Sequence, residues 1–536
     1  MPQTFLTAST ALAALSACLL VSDAAVAQQS GRAPVAVGEK LADGQAYATA
    51  VRLAHQPDPA NNGRILLSLE ENGMAGLPLY ESRDEGASWS PLMHATDPNR
   101  PDHSECNLHW QPHLTEMPRT VGALKAGAIL LSASSVCNGD NGRMASMQLQ
   151  LYSSTDLGRS WQYRGAIAEG TAELPVWEPH LQILDDGKLV TYFSSEAHKA
   201  DGYNQLLSHK VSSDGGKTWG PEIYDTAMAG GVERPGMVIV DRLPDRRYVM
   251  TYEDVEGPVQ NQVYLKYSRD GLDWGSPADR GTPVQTESGL YPINCPTVRW
   301  LPLGGPKGIL LVSARGDSAL GLQGGKSFYW NANGGVGPWW EVAAPVQKLG
   351  NGRAGWTQAM LLRSDGAILH ITSSASADAP TNPSKNEILF ASAKLDFNRY
   401  EAEDASRTGS AMLRDASMSN GAKVRLGAKD VGRLTFHVYL AKAGRYTLGV
   451  NYGNIGFEST PRLIADGAAL PGSAAPVQID VATAALRNRD LGTRGNGSRS
   501  LLSATADLKA GMNVFEIAGG AYAVDVDYLE VTPAGP

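Results

Sequence analysis

Two glutamates in strand-like segments are placed to supply a pair of carboxyl groups to one site. Glu178 follows two apolar residues in Val-Trp-Glu-Pro-His, and Glu253 ends the segment Met-Thr-Tyr-Glu. Cleavage of a glycosidic bond needs two carboxyl groups, one protonated and one ionised. Apolar surroundings would raise the pKa of Glu178 and suit a general acid, whereas the neighbouring Arg234 would keep Glu253 ionised. The two residues therefore predict the acid and the nucleophile of a glycosidase.

Further polar and aromatic residues recur near the starts or ends of the predicted inner strands. Inner strands should be mostly apolar where they pack, so these residues predict a funnel that binds a polar ligand. The candidate substrate-binding residues are Gln111, His113, Trp177, His180, Arg234, Tyr252, Asn294, Arg315 and Trp356. For His113 and His180, which occupy equivalent places in successive units, packing is the alternative to substrate contact. Glu70 and Glu196 also end strands, and we interpret them as solvated residues.

A short motif, Ser-x-Asp-x-Gly-x-Ser/Thr-Trp, indicates the architecture that would position these residues. It occurs at 82–89, 154–161 and 212–219, and a copy one residue shorter occurs at 268–274. Asp in such a turn caps backbone amides and Gly accepts positive φ, so the motif predicts a tight turn whose Trp packs on a neighbouring sheet. A turn motif repeated at long intervals indicates radially arranged β-sheets.

Pairs of predicted strands set the number of repeats. First strands begin at residues 47, 111, 178, 234, 294 and 356, a period of about 61 residues. Six such units predict an all-β fold whose first domain, residues 40–397, is a six-bladed β-propeller with four strands in each blade. First strands line the axis of a propeller and their starts meet on one face, which places Glu178 and Glu253 on adjacent blades.

A second all-β domain is predicted for residues 399–534, where the composition changes. The segment opens with Tyr-Glu-Ala-Glu and closes with Asp-Val-Asp-Tyr-Leu-Glu-Val. It resembles carbohydrate-binding modules of families 6 and 35, which implies a β-sandwich (jelly-roll) fold. Those families hold a structural calcium ion with the opening glutamates and the closing aspartate, so the resemblance implies Glu401, Glu403 and Asp527 as Ca²⁺ ligands. The alternative is that these residues are ordinary charges at strand edges.

The propeller segments carry a resemblance of their own. The repeated turns are similar to the Asp-boxes of sialidases and related propeller glycosidases. Short segments around Gln111, Glu178, Arg234, Glu253 and Asn294 resemble those of glycoside hydrolase family 93. The resemblance implies a retaining exo-α-L-arabinanase that acts on α-1,5-linked arabinan and releases arabinobiose, with Glu178 as acid/base and Glu253 as nucleophile.

Three other functions stay open at this point. A sialidase needs three arginines for the substrate carboxylate and a Tyr nucleophile paired with Glu, and the carboxyl pair favours the arabinanase-like function over it. The candidates for that sialidase set are Arg52, Arg234, Arg315 and Tyr291. A non-catalytic glycan-binding propeller would need aromatic platforms but no paired acids. Its platforms would be Trp110, Trp177 and Trp356. A purely structural scaffold would need neither.

Composition and the N-terminus limit the partners and the location. The 536-residue chain has a net charge of −9, which argues against nucleic acid as a partner. Residues 5–22 are apolar and precede Ala-Val-Ala, so we expect a signal peptide over 1–27 and a secreted or periplasmic protein. The alternative is a bacterial lipobox, Leu-Ser-Ala-Cys, that would leave Cys18 lipidated. No later segment is apolar for ~20 residues, which predicts no membrane span.

The expected partner is therefore a saccharide, and we expect a monomer. The histidines show no metal-ligand spacing such as His-Glu-x-x-His, so no cofactor is predicted for catalysis. An exported protein tolerates disulfides, and Cys106 with Cys137 is the candidate pair that would staple a long loop, leaving Cys295 over.

Overall fold

The backbone in this computed structural model is described for residues 37–44, 46–71, 76–97, 106–139, 142–427, 431–454, 462–466, 500–518 and 523–534. Within these ranges the regular elements are strands and 3₁₀-helices, which confirms the all-β class. The 3₁₀-helices are Pro59–Asn61, Lys199–Asp201, Pro383–Lys385 and Ser419–Gly421. The predicted signal peptide and Cys18 lie outside the described residues. In the described part of the chain, no helix is long and apolar enough to cross a membrane.

Six antiparallel sheets are the blades of a propeller, as predicted. Their strands are β1 (Glu39–Asp43), β2 (Ala46–Arg52), β3 (Ile65–Glu70), β4 (Leu77–Ser82), β5 (Ser90–Ala95), β6 (Cys106–Glu116), β7 (Ile129–Asn138), β8 (Met144–Ser154), β9 (Gln162–Thr171), β10 (Val176–Ile183), β11 (Leu189–Ser195), β12 (Leu206–Ser212), β13 (Ile223–Thr226), β14 (Arg234–Arg242), β15 (Tyr248–Val255), β16 (Gln262–Ser268), β17 (Thr282–Pro283), β18 (Pro292–Ile293), β19 (Thr297–Leu301), β20 (Ile309–Ser313), β21 (Gly316–Asp317), β22 (Ser327–Asn331), β23 (Trp340–Ala343), β24 (Ala359–Leu362), β25 (Ile368–Ser374) and β26 (Glu387–Ala393). Blades 1 to 4 are β2–β5, β6–β9, β10–β13 and β14–β17; blade 5 is β19, β20, β22 and β23; and blade 6 is β24–β26 with β1. The inner strands β2, β6, β10, β14, β19 and β24 contact one another in succession, and β24 contacts β2, so the ring is closed.

Blade 6 is completed by the first strand of the ring. β1 pairs antiparallel with β26, with Glu39 opposite Phe390 and Asp43 opposite Glu387. Lys40 Nζ also donates to Glu387 Oε1 at 2.9 Å. The sequence analysis did not predict this strand, because a short half-exposed segment has no apolar pattern that separates it from a linker. Its pairing joins the two ends of the propeller and covers a sheet edge that an open ring would expose.

Each inner strand is accompanied by a non-glycine residue in the left-handed backbone region, which lies within the strand in β2, β6, β10 and β14 and shortly before the first residue in β19 and β24. These residues, with φ between 43° and 60°, are Tyr47, Gln111, Glu178, Met237, Asn294, Cys295 and Thr357. The conformation breaks the regular pairing with the second strand, and four of the inner strands show a register shift at this point. The strands predicted to begin at residues 294 and 356 consequently begin later, at Thr297 and Ala359.

The motif turns lie between the third and fourth strands of blades 1 to 4. In the first, Ser88 N donates to Asp84 Oδ1 at 2.9 Å and Gly86 N donates to Ser82 Oγ at 2.8 Å. The same two bonds recur at 154–161, 212–219 and 268–274. A Cβ atom on Gly86 would lie 2.3 Å from Leu369 Cδ2 of the neighbouring blade. Glycine thus provides both the positive φ and the close approach of adjacent blades.

A disulfide joins Cys106 and Cys137, the predicted pair. The two residues are opposite each other on β6 and β7. The bond therefore links neighbouring strands of blade 2 and does not staple a long loop. Cys295 is a free and buried thiol.

Two further sheets form the predicted β-sandwich after the propeller. Their strands are β27 (Arg399–Glu401), β28 (Ser406–Thr408), β29 (Ser410–Arg414), β30 (Ala422–Leu426), β31 (Arg433–Leu440), β32 (Gly444–Asn454), β33 (Arg462–Asp466), β34 (Ser500–Leu508), β35 (Gly511–Ala518) and β36 (Val524–Pro533). One sheet has the order β29-β30-β36-β32-β34, with β27 also paired to β36, and the other has the order β28-β31-β35-β33.

The sandwich and blade 5 of the propeller share one apolar core. The rings of Trp340 and Phe436 stack with centroids 5.9 Å apart and an interplanar angle of 9°. Trp330 contacts Tyr400 at 5.4 Å between centroids. Phe436 and Trp330 are at most 1% exposed. Because these aromatic residues leave water only when both domains are present, each domain stabilises the other.

We expect Phe436→Ala to destabilise the whole chain in one transition. Truncation of a fully buried Phe costs about 3–5 kcal/mol, and the lost contact belongs to the core of both domains. Urea unfolding followed by tryptophan fluorescence and by far-ultraviolet circular dichroism measures this. Tyr439→Ala on the same strand is the control and should have a smaller effect. Two separate transitions, with the propeller transition unchanged, would contradict the shared core.

Candidate active site

The carboxyl group of Glu178 lies near the start of β10, on the face of the propeller where the inner strands begin, which we call the mouth. The left-handed backbone at this residue turns the side chain toward the axis of the propeller. Oε2 accepts hydrogen bonds from Ser194 Oγ at 2.6 Å and from Met237 N at 3.1 Å. Burial of the carboxyl group raises the pKa of Glu178 to about 7, with Glu253 adding to the rise and the Ser194 bond opposing it. A carboxyl group with this pKa is partly protonated near neutral pH, as a general acid must be.

Glu253 lies on the next blade, near the end of β15, and is 9% exposed. Its Oε2 accepts hydrogen bonds from Cys295 N at 2.6 Å and from Asn294 Nδ2 at 3.2 Å. Burial raises the pKa of Glu253, while these two donors, then Arg315 and then Arg234, lower it. Donors directed at one carboxylate oxygen stabilise the ionised form, which is the form a nucleophile needs.

The expected ion pair between Arg234 and Glu253 is not formed. Arg234 Nη2 donates to Glu196 Oε1 at 2.8 Å and to Gln205 Oε1 at 2.7 Å. Trp177 Nε1 donates to the same Glu196 oxygen at 3.1 Å. Arg234 sits at the mouth end of β14 with its guanidinium turned toward blade 3, so it acts on Glu253 only at a distance. Glu196 is 7% exposed, so the interpretation of this residue as solvated was wrong.

Gly236 lies beside Glu253 and beside the residue that donates to Glu178. A Cβ atom at this position would lie 2.6 Å from Gln205 Nε2, 3.6 Å from Ser194 Oγ and 3.8 Å from Glu253 Oε1. A side chain here would therefore displace Gln205, which accepts from Arg234. The sequence analysis assigned Gly236 no role, because the need for an absent side chain is apparent only from the neighbours it would touch.

Residues from opposite blades close the floor of the funnel. Tyr47 of blade 1 donates its hydroxyl hydrogen to Met237 Sδ of blade 4 at 3.7 Å. Both residues are buried in one cluster with Cys295. Gln111 connects Tyr47 to Glu178. Its Nε2 donates to Tyr47 Oη at 3.4 Å, and its Oε1 accepts from Glu178 N at 3.1 Å. The predicted site residue Gln111 therefore lies beneath Glu178 and holds its backbone in place.

Aromatic residues and arginines form the walls. On blades 2 and 3 the rings of Trp110 and Trp177 lie 6.0 Å apart. Across the funnel, Trp356 lies against the guanidinium groups of Arg315 and Arg353, whose Cζ atoms are 5.6 and 5.5 Å from its ring centroid. These faces are of the kind that bind sugar rings and hydroxyl groups.

Glu70 is a third acid at the mouth, at the end of β3 on blade 1. Its Oε1 accepts from Arg353 Nη1 at 3.1 Å. It is 2% exposed, and burial raises the pKa of Glu70 to about 8, with Arg353 opposing the rise. The interpretation of Glu70 as a solvated strand end was therefore wrong.

Three predicted substrate-binding residues do not line the funnel. His113 and His180 are in contact with ring centroids 4.1 Å apart, and they bond to backbone atoms of the next blades. Tyr252 is fully buried between blades 3 and 4 and donates to Arg280 O at 2.7 Å. Tyr252 points away from the funnel because it precedes Glu253 in a strand, where successive side chains alternate between faces.

The arginine set of a sialidase is not assembled. Arg52 ends β2 at the far side of blade 1, where Nη2 donates to Leu362 O at 3.0 Å and Nη1 to Glu85 Oε1 at 3.2 Å. Glu85 belongs to a motif turn on the face opposite the mouth. Arg52 therefore cannot join Arg234 and Arg315 around one substrate carboxylate.

The residues implied as calcium ligands are buried where the sandwich meets blade 5. Glu401, Glu403 and Asp527 are each at most 3% exposed. Burial, together with repulsion from neighbouring acids, raises the pKa of Glu401 to about 8 and holds the pKa of Glu403 well above its usual range. Glu401 Oε2 and Glu403 Oε2 are enclosed and accept no hydrogen bond. Carboxylate oxygens of this kind are the donors that a hard cation prefers.

Two more acids adjoin this group. Asp404 Oδ2 accepts from Glu341 N of β23 at 2.6 Å, and Asn420 Nδ2 lies 3.3 Å from both Glu341 Oε2 and Glu403 Oε1. The donor chemistry therefore fits a cation. In the ranges that the structure describes, however, no three His, Cys, Asp or Glu side chains are already grouped as a ligand set.

Solved structures with this fold are known. The chain is similar to the α-L-arabinanase of Penicillium chrysogenum complexed with arabinobiose, at 25% identity and a TM-score of 0.55, over 67% of this chain and 99% of that one. It is similar to the α-L-arabinofuranosidase of Fusarium graminearum, a family 93 glycoside hydrolase, complexed with arabinobiose, at 24% identity and a TM-score of 0.55, over 67% and 98% of the chains. The complex of the Fusarium enzyme with an iminosugar inhibitor is similar at 23% identity and a TM-score of 0.56, over 68% of this chain and 98% of that one.

These likenesses confirm the resemblance to family 93 at the level of the propeller fold. No family model matches the sequence, and no curated protein does either.

We expect Ser194→Ala to raise the pKa of Glu178 further, by about one unit. The variant removes the hydroxyl that donates to Glu178 Oε2, a bond that favours the ionised form. Carbon-13 NMR titration of labelled glutamate carboxyl groups measures the shift, with Glu178→Gln used for assignment. Ser195→Ala, which removes a buried hydroxyl one residue away, is the matched control and should leave this pKa unchanged. An unchanged pKa in Ser194→Ala would contradict the assigned bond.

Proposed function

We propose that this chain is a glycoside hydrolase that acts from the chain end of α-1,5-linked L-arabinan and releases a short arabino-oligosaccharide such as arabinobiose. The observation that carries the proposal is the pair Glu178 and Glu253. They lie on adjacent blades at the mouth of the funnel. Burial raises the pKa of Glu178 to about 7, and two N–H donors on Glu253 Oε2 favour its ionised form, so the pair would supply the protonated and the ionised carboxyl group that glycoside cleavage requires.

The roles of the two acids follow from their partners. Glu178 has the pKa of about 7 and would protonate the departing oxygen. Glu253 receives two N–H donors on Oε2 and would attack the anomeric carbon with Oε1, the oxygen that lies on the Gly236 side. After the first step Glu178 is ionised and would take a proton from water, which then releases the sugar from Glu253. Retention of configuration is part of this proposal.

The choice of arabinan is supported by the two similar structures that contain arabinobiose. The exo mode is supported by the floor of the funnel, where Tyr47 and Met237 meet across the axis. A funnel that ends at such a floor admits the end of a polymer but offers no path for a chain to run through. Trp110, Trp177 and Trp356 would stack on the sugars, and Arg315 and Asn294 would bind hydroxyl groups.

The C-terminal sandwich is proposed as a carbohydrate-binding module that holds a structural Ca²⁺ ion with Glu401, Glu403 and Asp527. Its support is the burial of these acids and the fit to a hard cation of Glu401 Oε2 and Glu403 Oε2, which accept no hydrogen bond. When bound, the ion would offset the charge of the acids at the junction. The protein is further proposed to be exported through residues 1–27.

We expect the two acid variants to lose activity in different ways. Glu178→Gln should lower the rate on debranched arabinan by about 10²–10⁴-fold, but it should act much better on a dinitrophenyl arabinoside, whose leaving group needs no proton. Glu253→Ala should be inactive on both, and added azide should restore turnover as an arabinosyl azide. Chromatography of products and NMR of the first-formed anomer measure product length and stereochemistry.

Glu256→Gln, an exposed glutamate in the turn after Glu253, is the matched control and should keep full activity. Release of sialic acid from sialyl-lactose, or wild-type activity in Glu253→Ala, would overturn the proposal. Retained sugar binding without hydrolysis in the wild-type protein would instead favour the glycan-binding propeller.

We expect Ca²⁺ to raise the Tm of the purified chain and a chelator to lower it. Binding to the folded state alone contributes about 2.7 kcal/mol at a hundredfold excess over Kd. Calorimetry with and without Ca²⁺ measures the effect, and Glu403→Gln should abolish it. Glu516→Gln, an acid on another strand of the same domain, should leave the response intact. The same Tm with and without Ca²⁺ would exclude the cation.

A further inference from the structure

Lys348 is a fully buried lysine that the proposed reaction does not use. It lies between β23 and β24 and is 0% exposed. Its Nζ donates to the backbone oxygen of Arg315 and to Gly324 O at 3.1 Å. A buried ammonium group is costly unless its donors are satisfied, and these two carbonyl groups satisfy two of its donors.

The side chain of Lys348 occupies space that two glycines leave free. A Cβ atom on Gly355 would lie 2.6 Å from Lys348 Cε and 3.3 Å from Arg315 Cα. A Cβ atom on Gly325 would lie 2.6 Å from Lys348 Nζ. The lysine therefore passes between three backbone segments, at Arg315, at 324–325 and at 355, and holds them together.

A continuous hydrogen-bonded path leads from Lys348 to the nucleophile. Lys348 Nζ bonds to the carbonyl group of Arg315, and Arg315 N donates to Asn294 O at 2.9 Å. Asn294 Nδ2 then donates to Glu253 Oε2 at 3.2 Å, and the next residue, Cys295, donates its N–H to the same oxygen. The backbone at 294 and 295 is left-handed, a conformation that persists only where its surroundings hold it.

The charged groups that act on Lys348 come from several elements. Burial lowers the pKa of Lys348 to about 7; Asp317 opposes the fall, and Arg315 and Lys326 add to it. The free thiol of Cys295 also opposes the fall. His370 of β25 is close enough for Lys348 to lower its pKa, although burial is the larger cause.

We propose that Lys348 is a positioning residue for Glu253, which acts through Arg315 and Asn294 to keep two donors directed at Glu253 Oε2. The inference rests on the proposed function of Glu253 as nucleophile. The ammonium group polarises the Arg315 carbonyl, and Arg315 in turn places both its backbone N–H on Asn294 and its guanidinium near Glu253. Loss of Lys348 would leave the left-handed segment 294–295 unsupported and the carboxylate less stabilised.

The test replaces Lys348 with Met, which keeps the length of the stem and removes the donor. We expect kcat on debranched arabinan to fall about 10²-fold, as for a reacting group displaced by 1 Å, with KM little changed because the aromatic walls remain. The acid limb of kcat/KM should move to higher pH, because fewer groups then favour the ionised form of Glu253. Lys394→Met, at an exposed lysine directly after β26, is the control and should match the wild-type protein.

A second variant and a second measurement separate positioning from folding. Lys348→Gln keeps an N–H donor without the charge and should recover part of kcat if the hydrogen bond carries the effect. Carbon-13 NMR titration of Glu253 reads its pKa without any substrate, and the pKa should rise in Lys348→Met. A wild-type acid limb and a wild-type Glu253 pKa in folded Lys348→Met would overturn the inference. A wild-type protein inactive on arabinan would overturn the proposed function alone, since the Glu253 titration still decides the role of Lys348.

Discussion

The left-handed backbone at the mouth end of every inner strand is the constraint on which the site depends. A strand that continued regularly to the axis would place its side chains alternately on the two faces of the blade and its amides in the ladder. The turn at Gln111, Glu178, Met237, Asn294 and Cys295 instead frees backbone N–H groups. Two of them, from Met237 and Cys295, donate to the two acids. The left-handed conformation costs energy locally, but it provides the N–H groups that donate to Glu178 and Glu253.

These bonds also explain how two nearby carboxyl groups can differ. Both are withdrawn from water, which raises the pKa of each, and the charge of Glu253 raises the pKa of Glu178 further. Glu253 receives a backbone and a side-chain amide donor on one oxygen, and Arg315 lowers its pKa more than Arg234 does. Glu178 receives a hydroxyl and a backbone donor, and Arg234 lowers its pKa less than these two donors do. Arg234 forms its ion pair with Glu196, so it does not pair with Glu178 or Glu253.

At the junction between propeller and sandwich, apolar packing lies next to buried acids. Stacked aromatic residues, Trp340 and Phe436 among them, bury apolar surface of both domains. A group of buried acids lies beside them, with Arg399 near Glu401 and Arg407 near Glu403. The apolar contact favours association, whereas the buried carboxyl groups oppose it unless protons or a cation accompany them. The described residues of the sandwich and of the propeller belong to one compact unit.

The sequence by itself determined the features that repeat or that are local. The Asp and Gly of the motif turns, the six first strands at a regular interval and the placement of Glu178 and Glu253 on adjacent blades were all predicted, because turn chemistry and strand period are written in neighbouring residues. Only the tertiary structure decided which groups meet. Arg234 bonds to Glu196 instead of Glu253, Tyr252 faces the core, β1 closes blade 6, and Lys348 reaches Arg315. These outcomes depend on contacts between distant segments and on register shifts at strand starts, where a change of one residue reverses the face on which a side chain lies.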